Sequence, residues 1–440
     1  MPPLRDIEFT EYTLGNGLTV ILSEERSSPV AAVMLMVHAG SKNETPGRTG
    51  LAHLFEHLMF KGSLHVGDGE HFRLLQEVGA AVNATTSEDR TNYFAAVPSR
   101  DLELALYLES DRLGYLADAL DQPKLDNQRD VVMNERRQSY DNVPYGTAYE
   151  KSSAAVYGPA HPYGWPVIGT MADIAALTME DALSFFRRYY APANACLVVA
   201  GDFDPGIAGG WIEKYFGTLP PGPRVPRLPL RPPPLDADIV LVHEEPVQLP
   251  RIFLTWPASP RGTRGEALMD IVTTILTSGK SSRLYRPLVF GEQIAQSVNA
   301  YSDGKEIAGT VTIEATARPG VTLAAIETRI RDVIDEVLTA GVTPREIASA
   351  YNGKEAQLAA QRTTMLGVAG GLATARTLAD DTGAFNRELG RFSDVTPEEI
   401  LAEARRVFSG PHVALNIVPA GLRTLASPGG AHGRAERSAH

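Results

Sequence analysis

Two histidines and a glutamate lie close together in the segment Leu51–Phe60, LAHLFEHLMF. His53 and His57 are four residues apart, so in a helix both imidazoles lie on one face, one turn apart, and can reach the same metal ion. Glu56 lies beside His57, where its carboxylate can approach the open side of a metal without being a ligand. The order HxxEH is the reverse of the HExxH zinc motif and predicts a metal site.

The alternative is that these three residues form an exposed polar face of a helix. Leu54, Phe55, Leu58 and Met59 surround them, and a helix that is apolar nearly all round is buried. Buried imidazoles and a buried carboxylate need partners or a metal. The pattern therefore favours a metal site, and this ligand set suits zinc but also accepts cobalt or manganese.

A third ligand has to come from another segment, because a catalytic zinc takes three protein ligands and keeps a fourth position for water. Glu135 is the best candidate, since Val131 and Val132 precede it by four and three residues and place it on the inward stripe of a helix. A cation would remove the cost of burying that carboxylate. The alternative is an ion pair of Glu135 with Arg136 or Arg129.

Local patterns also predict the surrounding elements. Asn16-Gly17 lies between two alternating apolar segments and predicts a hairpin. The apolar run from Val30 predicts a strand, and the spacing of apolar residues between Gly50 and Phe60 predicts the helix of the motif. Two further acids, Glu109 and Asp111, are expected on a solvated helix face.

The chain is predicted to contain two homologous halves. VILSEE ends at Glu25 and VLVHEE at Glu245, an offset of 245 − 25 = 220; TMEDALSFFRRYY begins at Thr178 and TPEEILAEARRVF at Thr396, an offset of 396 − 178 = 218. Both of the latter segments begin with a capping-box pattern and run into an apolar strand. We therefore expect an α+β fold with two homologous halves, each built of sheet-plus-helix units.

A chain of 440 residues is too long for one ordinary core. Residues 220–236 contain eight prolines and predict an extended linker between an N-terminal metal-binding domain, 1–219, and a C-terminal domain without metal, 237–421. Residues 422–440 are rich in Gly, Ala and charge and predict a disordered tail.

Composition excludes several classes of function. A net charge of −12 disfavours binding to nucleic acid or to an anionic membrane surface. The single cysteine, Cys196, excludes an internal disulfide. The first residues lack a basic, apolar leader, and no run of about 18 apolar residues is present. A cytoplasmic protein is expected, or a periplasmic one if a signal peptide was removed.

Taken together, these residues resemble the pitrilysin, insulysin and mitochondrial processing peptidase family of zinc metallopeptidases, in particular its short-subunit dimeric members. The resemblance extends from GNGLTV, which ends at Val20, to the strand at Val413, and its most specific element is HxxEH followed by a glutamate 135 − 57 = 78 residues later. It implies zinc ligands at His53, His57 and Glu135, and a general base at Glu56.

The resemblance also implies a mode of substrate binding and an assembly. The segment VNATTSEDRTNY, from Val82, matches an exposed edge strand that pairs with the substrate backbone, which puts Asn83, Ala84 and Thr85 beside the scissile bond. In family members of this length, two chains form a clamshell around a chamber, so that this chain would form half of it.

Two departures from the family pattern bear on function. Gln128 stands where relatives carry a supporting glutamate, and Val289 and Gln296 stand where active single-chain or homodimeric members carry a substrate-binding arginine and tyrosine. The second departure predicts a heterodimer in which a homologous subunit without HxxEH supplies that pair. We therefore expect a zinc endopeptidase subunit acting on extended peptides. The alternatives are a non-catalytic structural subunit and a peptide-binding module that retains zinc.

Overall fold

The computed structural model describes residues 4–428. None of the helices in that range is long and apolar enough to cross a membrane. The chain divides into two compact units, each assembled from separate segments. The first contains the residues up to Arg136 together with Trp165–Arg227 and Glu355–Glu388, and the second contains Arg137–Gly164, Leu228–Lys354 and the residues from Leu389 onward.

The first unit is built on a six-stranded sheet, and its elements are numbered here along the whole chain. The strands are β1 (Thr10–Thr13), β2 (Thr19–Glu24), β3 (Val30–Val37), β4 (Ala81–Thr86), β5 (Thr91–Pro98) and β6 (Ala195–Gly201), in the spatial order β1-β2-β6-β3-β5-β4. The helices are α1 (Leu51–Leu58), α2 (Glu70–Glu77), α3 (Leu102–Ala119), α4 (Gln122–Arg136), α6 (Met171–Ala176), α7 (Met179–Tyr189), α8 (Pro205–Phe216), α12 (Met365–Ala379) and α13 (Ala384–Arg387).

The second unit is built on a five-stranded sheet. Its strands are β7 (Ile239–Glu245), β8 (Arg251–Ala258), β9 (Ala295–Gly304), β10 (Gly309–Ala317) and β11 (Val413–Pro419), in the order β7-β11-β8-β10-β9. Its helices are α5 (Ala148–Tyr157), α9 (Arg264–Thr277), α10 (Leu323–Ala340) and α14 (Pro397–Phe408), and the boundary between the units falls within α11 (Pro344–Gln361).

The predicted repeat is confirmed in the topology of the two sheets. The order β2-β6-β3-β5-β4 in the first sheet matches β7-β11-β8-β10-β9 in the second. In each sheet the first pair of this series is parallel and the remaining pairs are antiparallel. The α+β fold with two homologous halves is therefore confirmed, whereas a chamber formed by two chains stays a prediction.

Local sequence signals account for several element boundaries. Gly17 has φ of 89° in the turn between β1 and β2, a left-handed conformation that glycine adopts without steric cost. Thr178 and Thr396 both cap their helices, and each forms a complete capping box, with Asp181 and Glu399 respectively. The predicted hairpin and both predicted helix starts are confirmed.

The prediction of two continuous domains, 1–219 and 237–421, differs from the structure, because at least one helix from each of these stretches belongs to the other unit. Helix α5 packs on β8 and β11 of the second sheet, and α12 packs on β3 and β6 of the first. The proline-rich segment 220–236 has neither helix nor strand, and a unit boundary falls inside it after Arg227.

The predicted disordered tail, 422–440, is only partly described. Residues Arg423–Leu425 form a short 3-10 helix, and the buried Ser427 donates its N–H to Asn416 Oδ1 at 2.9 Å. Residues 422–428 therefore have a defined place beside β11, which differs from the prediction, and residues 429–440 lie outside the described part of the chain.

Candidate metal centre

Helix α1 begins at a buried carboxylate that fixes its first turn. Glu44 accepts hydrogen bonds from the backbone N–H of Gly50 at 2.9 Å and of Ala52 at 2.7 Å, through its two carboxylate oxygens. These are two of the donors that a helix N-terminus leaves without intrahelical partners. Burial raises the pKa of Glu44 to about 8, against the opposing effect of the two backbone donors. Since Ala52 precedes His53, this contact fixes the start of the metal-binding face.

The rest of α1 is oriented by its apolar residues. Leu54, Phe55 and Leu58 are fully buried, and the Tyr93 hydroxyl of β5 donates to the Phe55 carbonyl at 3.1 Å. The side chains of His53 and His57 keep 12% and 25% exposure on the remaining face. The helix therefore has one open face, and that face carries both imidazoles.

Helix α4 brings Glu135 to the same place, and one connecting segment holds both helices. Arg136 Nη1 donates to the carbonyl of Gly169 at 2.8 Å. Gly169 in turn lies directly against Gly50 at the start of α1, where a Cβ on Gly169 would be 2.6 Å from Gly50 Cα. The end of α4 and the beginning of α1 are thus in contact with the same loop.

The three predicted ligands come together in the structure. His53 Nε2 lies 3.6 Å from Glu135 Oε1, and His57 Nε2 lies 3.2 Å from Glu135 Oε2. One ligand atom from each residue lies within 4.8 Å of the others, and residues 4–428 contain one such group of metal-ligating side chains. Bonds of the usual zinc length, in a tetrahedral arrangement, put ligand atoms about 3.4 Å apart. The donor set and its spacing therefore fit zinc.

The protonation states also fit a metal site. Burial, helped by the neighbouring His57, lowers the pKa of His53 to about 4, which keeps that imidazole neutral. The hydrogen bond from His57 lowers the pKa of Glu135, which keeps it ionised. A neutral imidazole and an ionised carboxylate are the forms that bind metal ions.

Glu56 lies beside this group and is held by the neighbouring strand. The Thr86 hydroxyl at the end of β4 donates to Glu56 Oε2 at 2.7 Å. Burial raises the pKa of Glu56, and the Thr86 hydrogen bond opposes that shift. A carboxyl group with a raised pKa and one free oxygen next to a metal site is suited to accept and return a proton.

The predicted substrate-binding residues lie on β4, which pairs with β5 and forms one edge of the sheet within residues 4–428. Asn83 and Thr85 are exposed and Ala84 is buried. Two backbone groups of this strand already have side-chain partners: Asn83 Oδ1 accepts from the Ala84 N–H at 2.9 Å, and Arg90 Nη1 donates to the Thr85 carbonyl at 2.8 Å.

The prediction for Glu109 and Asp111 was wrong, because both side chains are buried and neither lies on a solvated face. Glu109 pairs with the guanidinium of Arg112, with Nε and Oε2 2.9 Å apart, and that guanidinium lies over the ring of Tyr93. Asp111 accepts a hydrogen bond from the hydroxyl of Ser63. His65 Nδ1 also lies 2.5 Å from Asp111 Oδ1, so both acids are held by polar partners away from the metal group.

The proposed ion-pair alternative for Glu135 is also excluded. Arg129 pairs with Asp126, with Nη2 and Oδ1 2.7 Å apart, and Arg136 donates to the Gly169 carbonyl. The basic partners of Glu135 in the structure are His53 and His57.

The residues at the two departures differ in their surroundings. Gln128 is buried and donates to Asn127 Oδ1 at 2.6 Å. Val289 belongs to the core of the second unit, whereas the adjacent Phe290 is 76% exposed and Gln296 is exposed on β9. Val289 therefore cannot present its side chain to a substrate, and Phe290 is the exposed residue of that segment.

Sequence analysis missed Glu44 and Thr86, which position α1 and Glu56. An acid shortly before a helix is a capping candidate, but Glu44 is six residues from Gly50, too far for a standard cap pattern. Thr86 carries no local signal, because its contact with Glu56 depends on where β4 lies.

Two family models match separate parts of the chain. The family model for insulinase, peptidase family M16, matches residues 19–160, and the model for the peptidase M16 inactive domain matches residues 176–354. The zinc protease PqqE of Helicobacter pylori is 30% identical over 341 residues, which is 76% of each chain. An uncharacterised zinc protease of Streptomyces coelicolor is 27% identical over 432 residues, covering 92% of this chain and 88% of the relative.

A solved structure agrees with the fold. The crystal structure of a protease from Helicobacter pylori superposes with a TM-score of 0.87 at 26% identity, over 94% of this chain and 100% of the other. His53, His57, Glu56 and Glu135 all lie inside the segment that the insulinase model matches.

Proposed function

Because this chain belongs to the insulinase family, peptidase family M16, we propose that it is the catalytic subunit of a zinc-dependent endopeptidase that hydrolyses extended peptides. The observation that carries the proposal is the convergence of His53, His57 and Glu135, with ligand atoms within 4.8 Å of one another, beside Glu56. The three residues would hold the metal, and a fourth position would remain for water or substrate.

Zinc, when bound in such a site, lowers the pKa of a water molecule and polarises a carbonyl group. Glu56 accepts a proton from the attacking water and later delivers it to the leaving amine. Its raised pKa suits both steps, since the group has to hold a proton between them. Thr86 keeps one carboxylate oxygen occupied and so leaves the other free for this exchange.

The edge strand β4 is proposed to bind the substrate backbone by β-augmentation. Support comes from its free edge, from the exposure of Asn83 and Thr85, and from Thr86, which connects the strand to the base. Pairing through backbone groups depends little on the side chains of the substrate. Sequence specificity is therefore expected to be loose.

The partner is proposed to be a homologous subunit that lacks HxxEH and supplies an arginine and a tyrosine. Support comes from the two positions at which the pair is expected. Gln296, in the place of the tyrosine, is exposed on β9 but has no phenol group, and Val289, in the place of the arginine, is buried in the core. The second unit offers no group of metal-ligating residues within the described part of the chain. Peptidase activity is thus expected from the heterodimer rather than from this chain alone.

The test combines metal analysis with peptide hydrolysis. Zinc content is measured on the purified chain, and cleavage of a quenched, unstructured peptide is followed for the chain alone and mixed with a homologous chain that carries the arginine and tyrosine. One zinc per chain, with hydrolysis only in the mixture and none with Glu56→Gln, supports the proposal. Zinc binding without hydrolysis in any mixture would favour a peptide-binding role. Absence of zinc would favour a structural role.

A further inference from the structure

A cavity lies in the second unit, lined by residues that the metal centre does not use. Its volume is about 200 Å³, and it opens between α5 with its preceding turn on one side and strands β8, β9 and β10 on the other. Its lining contains one basic and one acidic side chain, Arg251 of β8 and Glu314 of β10.

These two charges share one face of the sheet but do not pair. Arg251 lies opposite Thr316, and Glu314 lies opposite Phe253, which makes the two charged residues diagonal neighbours. Arg251 Nε donates to Thr316 Oγ1 at 2.8 Å, and no hydrogen bond or ion pair in residues 4–428 joins either residue to a group of opposite charge. Opposite charges on diagonal neighbours usually form an ion pair. Because these two do not, the guanidinium and the carboxylate can each bind one charged group of a ligand.

The guanidinium is held in place by an aromatic ring. The ring of Tyr145 lies against it, with 3.9 Å between the guanidinium carbon and the ring centroid, and the Tyr145 hydroxyl donates to the Leu249 carbonyl at 2.7 Å. Tyr145 has φ of 61°, a left-handed conformation that a bulky residue rarely adopts. Because Thr316 engages Nε, the terminal nitrogens of Arg251 stay free to donate.

Several hydroxyl groups also line the cavity, among them those of Ser152 and Tyr301. Ser152 of α5 is 6% exposed, and its hydroxyl is buried with no hydrogen-bond partner in the described structure. Burial, together with the nearby Glu314, raises the pKa of Tyr301 to about 12, so that its hydroxyl stays protonated. A buried polar group without a partner is unusual in a native protein and calls for a ligand or an ordered water.

We propose that this cavity binds a small zwitterion, a free amino acid or a dipeptide, with its carboxylate on Arg251 and its ammonium group on Glu314. The guanidinium offers two parallel donors, which match a carboxylate. The volume is below that of a typical drug-sized pocket, about 300–1,000 Å³, which limits the ligand to one or two residues. The site lies wholly in the second unit, and its occupancy does not depend on the proposed peptidase activity.

The test is calorimetric titration of the full chain with free L-amino acids and with glycyl dipeptides, up to about 10 mM, since a single salt-bridged zwitterion is expected to bind at about millimolar strength. N-acetylated and C-amidated forms of each binding compound serve as ligands that lack one charge. Arg251→Gln and Glu314→Gln are compared with Arg345→Gln, a change of an exposed arginine on α11.

Binding of at least one zwitterion is expected, with a loss of about tenfold or more in affinity on blocking either end of the ligand and in both cavity variants, and no loss in Arg345→Gln. Glu314→Gln and the blocked ligands keep the test valid if Arg251→Gln perturbs folding through Tyr145. The proposal is overturned if no zwitterion binds, or if binding is undiminished by blocking the ligand or by the Glu314 change.

Discussion

Replacing Glu44 by glutamine tests whether a buried cap positions the metal-binding helix. The two oxygens of the Glu44 carboxyl group accept from two backbone N–H groups, those of Gly50 and Ala52. Glutamine keeps one acceptor oxygen but turns an NH₂ group towards the other buried donor. An unsatisfied buried donor costs about 1–3 kcal/mol, so the variant is expected to unfold at a lower urea concentration by that amount. Because Ala52 adjoins His53, zinc affinity is expected to fall about tenfold.

The pH dependence provides an independent readout. Burial raises the pKa of Glu44 to about 8, so this group gains a proton on folding at neutral pH. The stability it contributes is present below the unfolded pKa of about 4.5 and is lost as the pH rises through 8. Glutamine has no proton to lose, so the difference in unfolding free energy between wild type and variant is expected to shrink as the pH rises across that window.

The assays are urea unfolding of the full chain from pH 5 to 9 and competition for zinc with a chromogenic chelator. Glu77→Gln is the control, because Glu77 lies on α2 with an exposed side chain in a surface ion pair with Arg73. The control is expected to change neither quantity. If Glu44→Gln unfolds at the same urea concentration as the wild type and binds zinc with the same affinity, the proposed role of the cap is refuted.

Three further predictions concern single residues. Glu56→Gln is expected to retain zinc while peptide hydrolysis falls by about 10²–10⁴-fold in the mixture that hydrolyses peptide, and an unchanged rate would exclude Glu56 as the base. Gly169→Ala places a Cβ 2.6 Å from Gly50 Cα and should lower both the urea midpoint of unfolding and the affinity for zinc. Gly47→Ala is the matched control, because Gly47 has a similar φ but a Cβ there would have no atom within 4 Å. Equal effects of the two substitutions would contradict the argument. His71 is buried, which lowers its pKa to about 2, so the stability tied to its neutral form is lost as the pH falls below about 6.5, by about 1.4 kcal/mol per unit. His71→Asn is expected to flatten that acid slope in urea unfolding, and an unchanged slope would contradict the prediction.

The metal group was predictable because its signal is local. His53 and His57 need only a helix to share a face. For Glu135 the predicted stripe is only half right: Val132, three residues before it, is buried, whereas Val131, four residues before it, is 39% exposed. The error at Glu109 and Asp111 arises because the burial of an acid depends on packing that brings other elements over it: Asp111 is bonded by Ser63, 48 residues away, and the Glu109–Arg112 pair of α3 is covered as a unit. Charge alone predicts exposure, and the buried contact with Arg112 reverses that expectation for Glu109.

The exchange of α5 and α12 between the units could not be predicted for the same reason. The repeat in the sequence predicts which segments are alike, but it does not say which sheet each helix covers. Helix α12 packs on the first sheet through residues such as Ala369 and Leu372, far along the chain from Met34 and Val198. The sequence pattern shows only that such a helix has an apolar face, and it does not show which sheet that face contacts.

The two halves share a strand order but differ in where a polar group can lie. Helix α9 follows β8 as α1 follows β3, yet α9 is buried along almost its whole length, from Ala267 to Leu276. It packs on the face of the second sheet that carries Ile252 and Leu254. Two histidines on α9, at the positions that His53 and His57 occupy on α1, would therefore lose their contact with water and would need other polar partners. Successive residues of a strand point to opposite faces, and Arg251 therefore lies on the other face, under α5. The first half holds its metal-ligating group on the α1 side, whereas the cavity proposed here for the second half lies on the opposite face of its sheet.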